Sequence, residues 1–355
     1  AGDMLPAEMA LILSRLRADA DPMPPQQLRQ VLDQSWGVGW LSRFKRFDVR
    51  PIASASIGQV HRAVLPSGRM LAIKVQYPGV RDSIDSDVDN MASLMRLPGL
   101  LPRGMDLAPL MAEAKRQLHG GADYLAEAQH LAQFRTLLDG SADFVLPELE
   151  PDLCTPQVLA MSYVESAPLE SLTTAPQATR DRVAAALIDL VLRELFEFGA
   201  MQTDPNLANY RYDPKSGRIV LLDFGAVQPI APALAADFRD LLTAALDGTH
   251  DTIRAAMLRI GYFAPETALH HQDLIQSLFD MAMEPLRQSA PFDFGQSDLL
   301  ERLRDRGLAL GSERDLAHVP PAATLFLHRK IAGTYLMAAK LGARVALRPM
   351  VERYR

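Results

Sequence analysis

Two short segments in the middle of the chain bring side-chain oxygens together at a spacing that suits metal and proton chemistry. Residues 202–209 read Gln-Thr-Asp-Pro-Asn-Leu-Ala-Asn and residues 221–225 read Leu-Leu-Asp-Phe-Gly, with a predicted β-hairpin between them. Because an antiparallel hairpin brings the residue before its first strand next to the residue after its second, we expect Asn209 and Asp223 side by side. Their oxygens suit Mg²⁺, which completes its shell with phosphate and water. Asp204 would face this metal and accept a proton from a hydroxyl or orient a water.

A lysine within an apolar strand needs an anionic partner. Lys74 lies in the pattern Met-Leu-Ala-Ile-Lys-Val of residues 70–75, and an ammonium near a core is costly unless it is paired or bound to an anion. Four small residues precede the hairpin that carries it: Ala53, Ser54, Ala55 and Ser56. Small side chains let backbone N–H groups approach phosphates. Lys74 and this small-residue loop therefore predict a phosphate-binding site.

The order of these parts along the chain is that of protein kinases. A lysine in a hairpin strand is followed by an acid on a long helix, an Asp with an Asn five positions later, a hairpin and Asp-Phe-Gly. Each piece alone is common as a structural element, since Asp-Pro starts turns and Asn is a frequent turn residue. Together they predict a kinase-like protein that binds ATP with Mg²⁺.

The elements predicted from periodicity, turn residues and prolines agree with this order. In chain order they are two helical segments over 4–34 broken at 21–25, a hairpin over 59–75, a long helix over 107–138 with an interruption at Gly120-Gly121, a strand over 157–164, a helix over 181–198, a hairpin over 210–222 and a mostly helical remainder. We therefore expect an α+β, protein-kinase-like two-lobed fold with an N-terminal helical extension and a mostly helical C-lobe.

The domain boundaries follow from these elements. We expect the helical extension over residues 1–48, the kinase-like N-lobe over 49–164 and the C-lobe over 165–355. Ser162 and Val164 lie at the predicted connector between the lobes, and they complete the predicted nucleotide-binding residues.

The bulk composition favours a globular protein and argues against nucleic acid as a partner. The 355 residues are 48% hydrophobic and 23% charged, which is typical of a globular protein. The net charge of −6 creates no overall positive potential that would attract a polyanion, so nucleic acid is not an expected partner. The single cysteine, Cys154, cannot form an internal disulfide, which favours a reducing compartment. No apolar run reaches the roughly 18 to 20 residues that cross a bilayer. We expect a cytoplasmic protein, with peripheral contact at the inner face of a membrane as a further expectation.

At these motifs the chain resembles the UbiB/ADCK (AarF-like) family of atypical kinases, and the resemblance extends over nearly all of it. Residues 51–61 look like the family's alanine-rich nucleotide loop, residues 72–80 like its ATP-lysine strand, and residues 202–209 with 221–225 like its catalytic loop and metal motif. The resemblance implies that Glu127 is the acid that pairs with Lys74. It also implies an ATPase or small-molecule kinase that supports ubiquinone or other isoprenoid-lipid metabolism, with a nucleotide, a quinone-type lipid and an anionic membrane surface as partners.

Two positions depart from the pattern of this family. The family usually carries an acidic residue two positions before the aspartate that Asp123 matches, and Gly121 stands there in this chain. The family's lysine-glycine-glutamine motif is absent, and by resemblance it should lie just upstream of Ala1.

Two other features separate the chain from kinases that phosphorylate peptides. Thr203 stands where protein kinases have an arginine before the catalytic aspartate. After Gly225 the sequence passes through residues 226–232 straight into a helical pattern, without an Ala-Pro-Glu element. These features predict that the acceptor is water, a small molecule or a lipid-linked group.

Alternatives to this function stay open. A pseudokinase-like module could use its nucleotide state to organise a lipid-biosynthetic complex without turnover. A relative of aminoglycoside or choline kinases would keep Asp204, Asn209 and Asp223, but it usually has a His before the catalytic Asp, where this chain has Gln202. Basic and apolar residues alternate along residues 330–355. This pattern fits packing on the C-lobe better than contact with anionic lipid. The sequence defines neither the acceptor nor the oligomeric state.

Overall fold

A computed structural model of the chain describes residues 22–98, 106–311 and 318–355. Its α-helices are α1 (Pro25–Trp36), α2 (Ile84–Met95), α3 (Ala108–Gly121), α4 (Tyr124–Leu137), α5 (Gln177–Arg193), α6 (Pro232–Asp247), α7 (His250–Ile260), α8 (Leu269–Arg287), α9 (Leu299–Gly311), α10 (Ala322–Lys340) and α11 (Leu347–Glu352). Its strands are β1 (Arg46–Phe47), β2 (Ala53–Ser54), β3 (Gly58–Val64), β4 (Met70–Gln76), β5 (Phe144–Val145), β6 (Val158–Ser162), β7 (Ala167–Pro168), β8 (Ala200–Gln202), β9 (Tyr210–Asp213), β10 (Arg218–Leu221), β11 (Val227–Pro229), β12 (Phe292–Asp293) and β13 (Arg344–Val345).

The smaller lobe is built on one antiparallel sheet. Its strand order is β1-β3-β4-β6, and β2 also pairs with β3. The predicted hairpin is β3 with β4, and its register places Val60 opposite Lys74. On the other side of β4, Lys74 lies opposite Leu159 of β6. Gly58 is required at the start of β3, because a Cβ there would overlap the Val75 carbonyl of β4.

The described part of the N-terminal extension packs against this sheet. Helix α1 buries Leu28, Val31 and Leu32 in a cluster that includes Ile73 and Val75 of β4. Strand β1 adds an edge to the sheet through its pairing with β3, so the boundary predicted at residue 48 falls just after an edge strand of the N-lobe. The first of the two helical segments predicted over 4–34 lies outside the described residues.

The long helix predicted over 107–138 is two helices. Helix α3 ends at Gly121 and α4 begins at Tyr124, after an N-cap at Asp123 whose carboxylate accepts a hydrogen bond from the Leu125 N–H at 3.0 Å. The predicted interruption at the glycine pair is therefore a complete break, because a side-chain cap satisfies the first amides of a new helix. This break sets the direction of α4, which carries Glu127.

The larger lobe combines many helices with three small sheets. The predicted hairpin over 210–222 is β9 with β10, and the sheet order is β5-β10-β9-β7. Strand β5 pairs in parallel with β10, although it precedes the lobe connector in sequence. Strand β8 pairs with β11, and β12 pairs with β13. The α+β architecture of a sheet-based lobe followed by a mostly helical lobe is as predicted. Across the residues described above, each helix is too short or too polar to span a bilayer.

Candidate nucleotide and metal site

A buried ion pair joins the sheet of the smaller lobe to helix α4. The Lys74 ammonium lies 2.9 Å and 3.2 Å from the two carboxylate oxygens of Glu127, and 3.8 Å from Oδ2 of Asp223. Lys74 and Glu127 are 6% and 2% exposed. The Phe224 N–H also donates to Glu127, at 3.3 Å. One carboxylate thus connects β4, α4 and the Asp-Phe-Gly motif, and the ion pair expected from the sequence is present.

The charges of this group are strongly coupled. Burial alone would lower the pKa of the Lys74 ammonium, but the carboxylates of Asp223 and Glu127 outweigh it, so this pKa lies above its ordinary value. Burial raises the pKa of the Glu127 carboxyl, although Lys74 opposes that shift. The ring of Tyr124, whose centroid is 5.3 Å from the ammonium, covers another side of Lys74. The Lys74 ammonium therefore stays protonated. Of the two carboxylates, Asp223 is the one exposed enough to contact a ligand, since its side chain is 27% exposed.

The small-residue loop forms a tight turn at the edge of the sheet. Ala53 and Ser54 pair with Val60 and Gln59 of β3, and the Ala55 N–H donates to the Gly58 carbonyl at 2.8 Å. Within the described ranges every residue with positive φ is a glycine, so this loop turns without glycine-like backbone conformations. Ser56 follows at the exposed tip of the turn. The loop leads directly into the strand that faces Lys74.

The connector between the lobes begins where β6 ends. The Tyr163 N–H donates to the Met70 carbonyl at 2.9 Å, which aligns Ser162 and Val164 with the start of β4. The Ser162 hydroxyl accepts a hydrogen bond from the Glu148 N–H at 2.8 Å. The Ser162 hydroxyl therefore keeps its O–H donor, whereas the Ser162 N–H is already bound to the Glu148 carbonyl at 2.7 Å.

The segment from Asp204 to Asn209 is folded around its own side chains. Asp204 accepts hydrogen bonds from the Asn206 N–H at 3.2 Å and from the Asn209 side-chain amide at 3.2 Å. The amide of Asn209 therefore points its nitrogen at Asp204, which leaves its oxygen available for the predicted metal. Burial and the nearby Asp223 carboxylate raise the pKa of Asp204, while Arg329 opposes them with Nη2 at 3.6 Å from Oδ1. A carboxylate held this way suits proton transfer.

Asn209 and Asp223 have the donor atoms that Mg²⁺ prefers. The Leu222 N–H donates to the Asn209 carbonyl at 3.4 Å, so the two ligands predicted from the hairpin lie at adjacent ends of its strands. No cluster of three or more His, Cys, Asp or Glu side chains in the described part of the chain is arranged to hold a metal ion. A magnesium ion here would therefore take two protein oxygens and complete its shell with phosphate and water, which fits its usual chemistry.

The residue before Asp204 connects the segment 204–209 to the segment after Asp-Phe-Gly. The Thr203 N–H and hydroxyl both donate to the Ala226 carbonyl, at 3.0 Å and 2.6 Å. The chain then forms β11 against β8 and enters α6 at Pro232. The position of the protein-kinase arginine is thus occupied by a hydroxyl that binds backbone, and the segment after Gly225 is a short strand.

Three charged residues at this site were not predicted from the sequence as functional: Glu194, Arg329 and Lys330. Glu194 and Lys330 are 0% and 1% exposed. The available signal was periodicity, since Glu194 falls four residues after the buried Leu190, and Lys330 falls three residues after the buried Leu327. A charge at a core position of a helix indicates a buried polar contact.

The C-terminal segment packs on the larger lobe. Its apolar side chains Leu347, Val351 and Tyr354 are buried. Its arginines form ion pairs with lobe residues, namely Arg344 with Asp293, Arg348 with Asp247, and Arg353 with Asp189. The favoured interpretation of residues 330–355 as a packing segment agrees with these contacts.

Comparison with known proteins identifies the family of this chain. Residues 15–257 match the family model described as the ABC1 atypical kinase-like domain. The chain belongs to the ABC1 atypical kinase-like family. This match confirms the UbiB/ADCK resemblance. A solved structure of the Rv3197-erythromycin complex from Mycobacterium tuberculosis shares the fold, with a TM-score of 0.73 and 24% identity over 98% of this chain and 87% of that chain.

Curated relatives of this ABC1 protein carry the name atypical kinase. The chain is 37% identical to "Atypical kinase COQ8, mitochondrial" of Saccharomyces cerevisiae, covering 96% of this chain and 68% of the relative. It is 37% identical to "Atypical kinase coq-8, mitochondrial" of Caenorhabditis elegans, covering 96% of this chain and 46% of the relative. It is 34% identical to "Atypical kinase COQ8B, mitochondrial" of Rattus norvegicus, covering 98% and 66%. The chain spans between about half and two thirds of the length of these relatives.

Proposed function

We propose that this ABC1 protein binds Mg-ATP between β4, α4 and residues 204–225, and that it hydrolyses ATP or transfers its phosphoryl group to a small or lipid-linked acceptor. The observation that carries the proposal is the position of Lys74, 2.9 Å from Glu127 and 3.8 Å from Asp223. A buried lysine paired with a helix acid next to an Asp-Phe-Gly aspartate is the arrangement that kinases need to hold phosphates.

Each residue of the site then has a role in phosphoryl transfer. Lys74 binds phosphate oxygens, and Glu127 fixes the direction of its ammonium. Asn209 and Asp223 hold Mg²⁺, which when bound neutralises charge on the phosphates. Asp204 orients the acceptor hydroxyl or water and accepts its proton.

The acceptor is proposed from the segment after Gly225 and from the family. Strand β11 and helix α6 follow at once, which leaves little surface to align a peptide in front of Asp204. Phosphoryl transfer requires the acceptor to be held in line, and effective molarities of ~10⁵ M or more depend on that alignment. Membership of the UbiB/ADCK family supports ubiquinone or another isoprenoid lipid pathway as the setting, with peripheral association at the inner face of a membrane.

The proposal is tested by ADP formation and by peptide labelling in the same preparation. We expect Mg²⁺-dependent ADP formation that falls to background in Asp223→Asn, while the matched control Asp251→Asn, at a fully exposed carboxylate, behaves as the unmodified protein. Radiolabelled ATP should not label peptide libraries. Robust peptide labelling that Asp204→Asn abolishes would contradict the acceptor class. Tight Mg-ATP binding without ADP formation would favour a nucleotide-dependent scaffold, and no binding at all would refute the proposal.

A further inference from the structure

Gln202, two residues before Asp204, is held from both sides by buried charged groups. Its backbone N–H donates to Oε2 of Glu194 at 2.7 Å, and its carbonyl accepts from the Lys330 ammonium at 2.7 Å. Glu194 begins the π-helical turn that follows α5, while Lys330 lies in α10, 128 residues along the chain from Gln202. The two peptide units that flank Gln202, just before the loop of residues 204–209, are therefore held by charged side chains from two helical segments.

Lys330 also reaches the exit of the same loop. Its ammonium donates to the Tyr210 hydroxyl at 2.9 Å, and Tyr210 directly follows the predicted metal ligand Asn209. Oε1 of Glu194 lies 3.5 Å from the same ammonium. A single buried cation thus connects the residues on either side of the segment that carries Asp204 and Asn209.

Helix α10 touches the loop between these two points as well. Gly333, one turn after Lys330, packs on Pro205 so closely that a Cβ would overlap the proline ring. Arg329 places Nη2 3.6 Å from Oδ1 of Asp204. The helix therefore contacts the entrance, the middle and the exit of the loop.

Because Lys330 and Glu194 are buried, their ion pair is expected to position the groups around Gln202 and to add little to the stability of the fold. Lys330 and Glu194 are 1% and 0% exposed. Desolvation of a buried ion pair offsets most of its Coulombic gain, so an apolar pair of similar volume often gives equal stability. An apolar pair, however, could not bind the Gln202 carbonyl and N–H in fixed places. Positioning is what the charged pair adds.

We infer that Lys330 is a positioning residue for phosphoryl transfer, acting through Gln202 and Tyr210 to fix Asp204 and Asn209. The inference rests on the proposed function, and it assigns α10 to the active site although the family match ends at residue 257. A misplacement of a reacting group by about 1 Å can cost ~100-fold in rate. Loss of Lys330 should therefore lower turnover far more than nucleotide binding.

The test compares Lys330→Met with Lys340→Met in the full chain. Lys340 lies in the same helix, with a side chain 54% exposed and an exposed partner, Glu170. We expect Lys330→Met to lower kcat for ADP formation by ~10-fold to ~100-fold with a KM for ATP within about threefold, because Lys74 and Asp223, which face the phosphates, lie outside this network. Lys340→Met should change neither constant. Equal kcat in both variants would overturn the inference.

A double variant separates positioning from destabilisation. Lys330→Met alone leaves Glu194 as an unpaired buried carboxylate, whereas Glu194→Leu with Lys330→Met removes both charges. We expect the double variant to regain thermal stability but not kcat. Recovery of kcat together with stability would show that Lys330 is only structural.

Amide hydrogen exchange gives a readout that does not need turnover. Residues 202–210 should exchange faster in Lys330→Met and in the double variant, while β4 keeps its protection. If the unmodified protein forms no ADP, the proposed function fails, and exchange at this loop still decides the positioning role. Unchanged exchange over 202–210 would overturn that role.

Discussion

Replacing Lys74 with methionine leaves the Glu127 carboxylate in the core with one hydrogen bond, from the Phe224 N–H at 3.3 Å. Glu127 is 2% exposed, so water cannot replace the lost ammonium. The folded protein must keep an unpaired charge or bind a proton. Breaking a buried pair by removing one partner typically costs about 3 to 5 kcal/mol.

Protonation sets an upper limit to that cost, and the limit depends on pH. Protonating a carboxyl with an ordinary pKa of 4.5 costs roughly 5 kcal/mol at pH 8 and about 1 kcal/mol at pH 5, at about 1.4 kcal/mol per pH unit. In Lys74→Met the folded state binds a proton that the unfolded chain releases, so the folded pKa of Glu127 is raised and stability falls as pH rises. The destabilisation relative to the unmodified protein should therefore shrink between pH 8 and pH 5.

Urea unfolding at several pH values measures this effect. We expect the midpoint of Lys74→Met to approach that of the unmodified protein as the pH falls, with similar slopes. The double variant Lys74→Met with Glu127→Gln should be more stable at pH 8 than Lys74→Met alone, because it contains no unpaired carboxylate. A pH-independent loss, or additive losses in the double variant, would refute a coupled buried pair.

Two further predictions concern helix α10 and its contacts. Gly333→Ala should lower turnover, because the new Cβ displaces Pro205. Gly307→Ala, at a helical glycine with open space around it, should instead stabilise the protein by about 0.5 to 1 kcal/mol. ADP assays and thermal melts of both variants test these two expectations. Burial lowers the pKa of His328 to about 4. Between pH 6.5 and 4 the imidazole is therefore protonated in the unfolded chain but neutral in the folded protein. Stability should fall by up to about 3 kcal/mol between pH 6.5 and 4, and His328→Gln should flatten this slope; a slope unchanged in the variant would show that other groups cause it.

Local patterns were sufficient to predict the parts of the site that lie close together in sequence. The hairpin between Asn209 and Asp223 has clear turn residues, and its register fixes which residues meet. Lys74 was recognisable because an ammonium in an apolar strand requires an anion, and Glu127 was assigned to it by family resemblance.

Contacts between distant elements could not be predicted in the same way. Periodicity places Glu194 and Lys330 at core positions of two helices, but it does not say that they meet, since their partner Gln202 is fixed only when the lobe has folded. The three-residue strands β8 and β11 are too short to give a pattern of alternation. The glycine pair predicted an interruption of this helix, but the complete break before α4 depends on the cap at Asp123, which apolar spacing does not reveal.

The most direct test of the nucleotide and metal site is a calorimetric titration of ATP with Mg²⁺ and with chelator. The unmodified protein should bind Mg-ATP more tightly than ATP alone, because Asn209 and Asp223 supply oxygens only to the metal-bound form. Alanine at either position should remove this difference while leaving metal-free binding nearly unchanged, since Lys74 still contacts the phosphates. An equal loss of both forms would contradict the account and show that the two residues are structural.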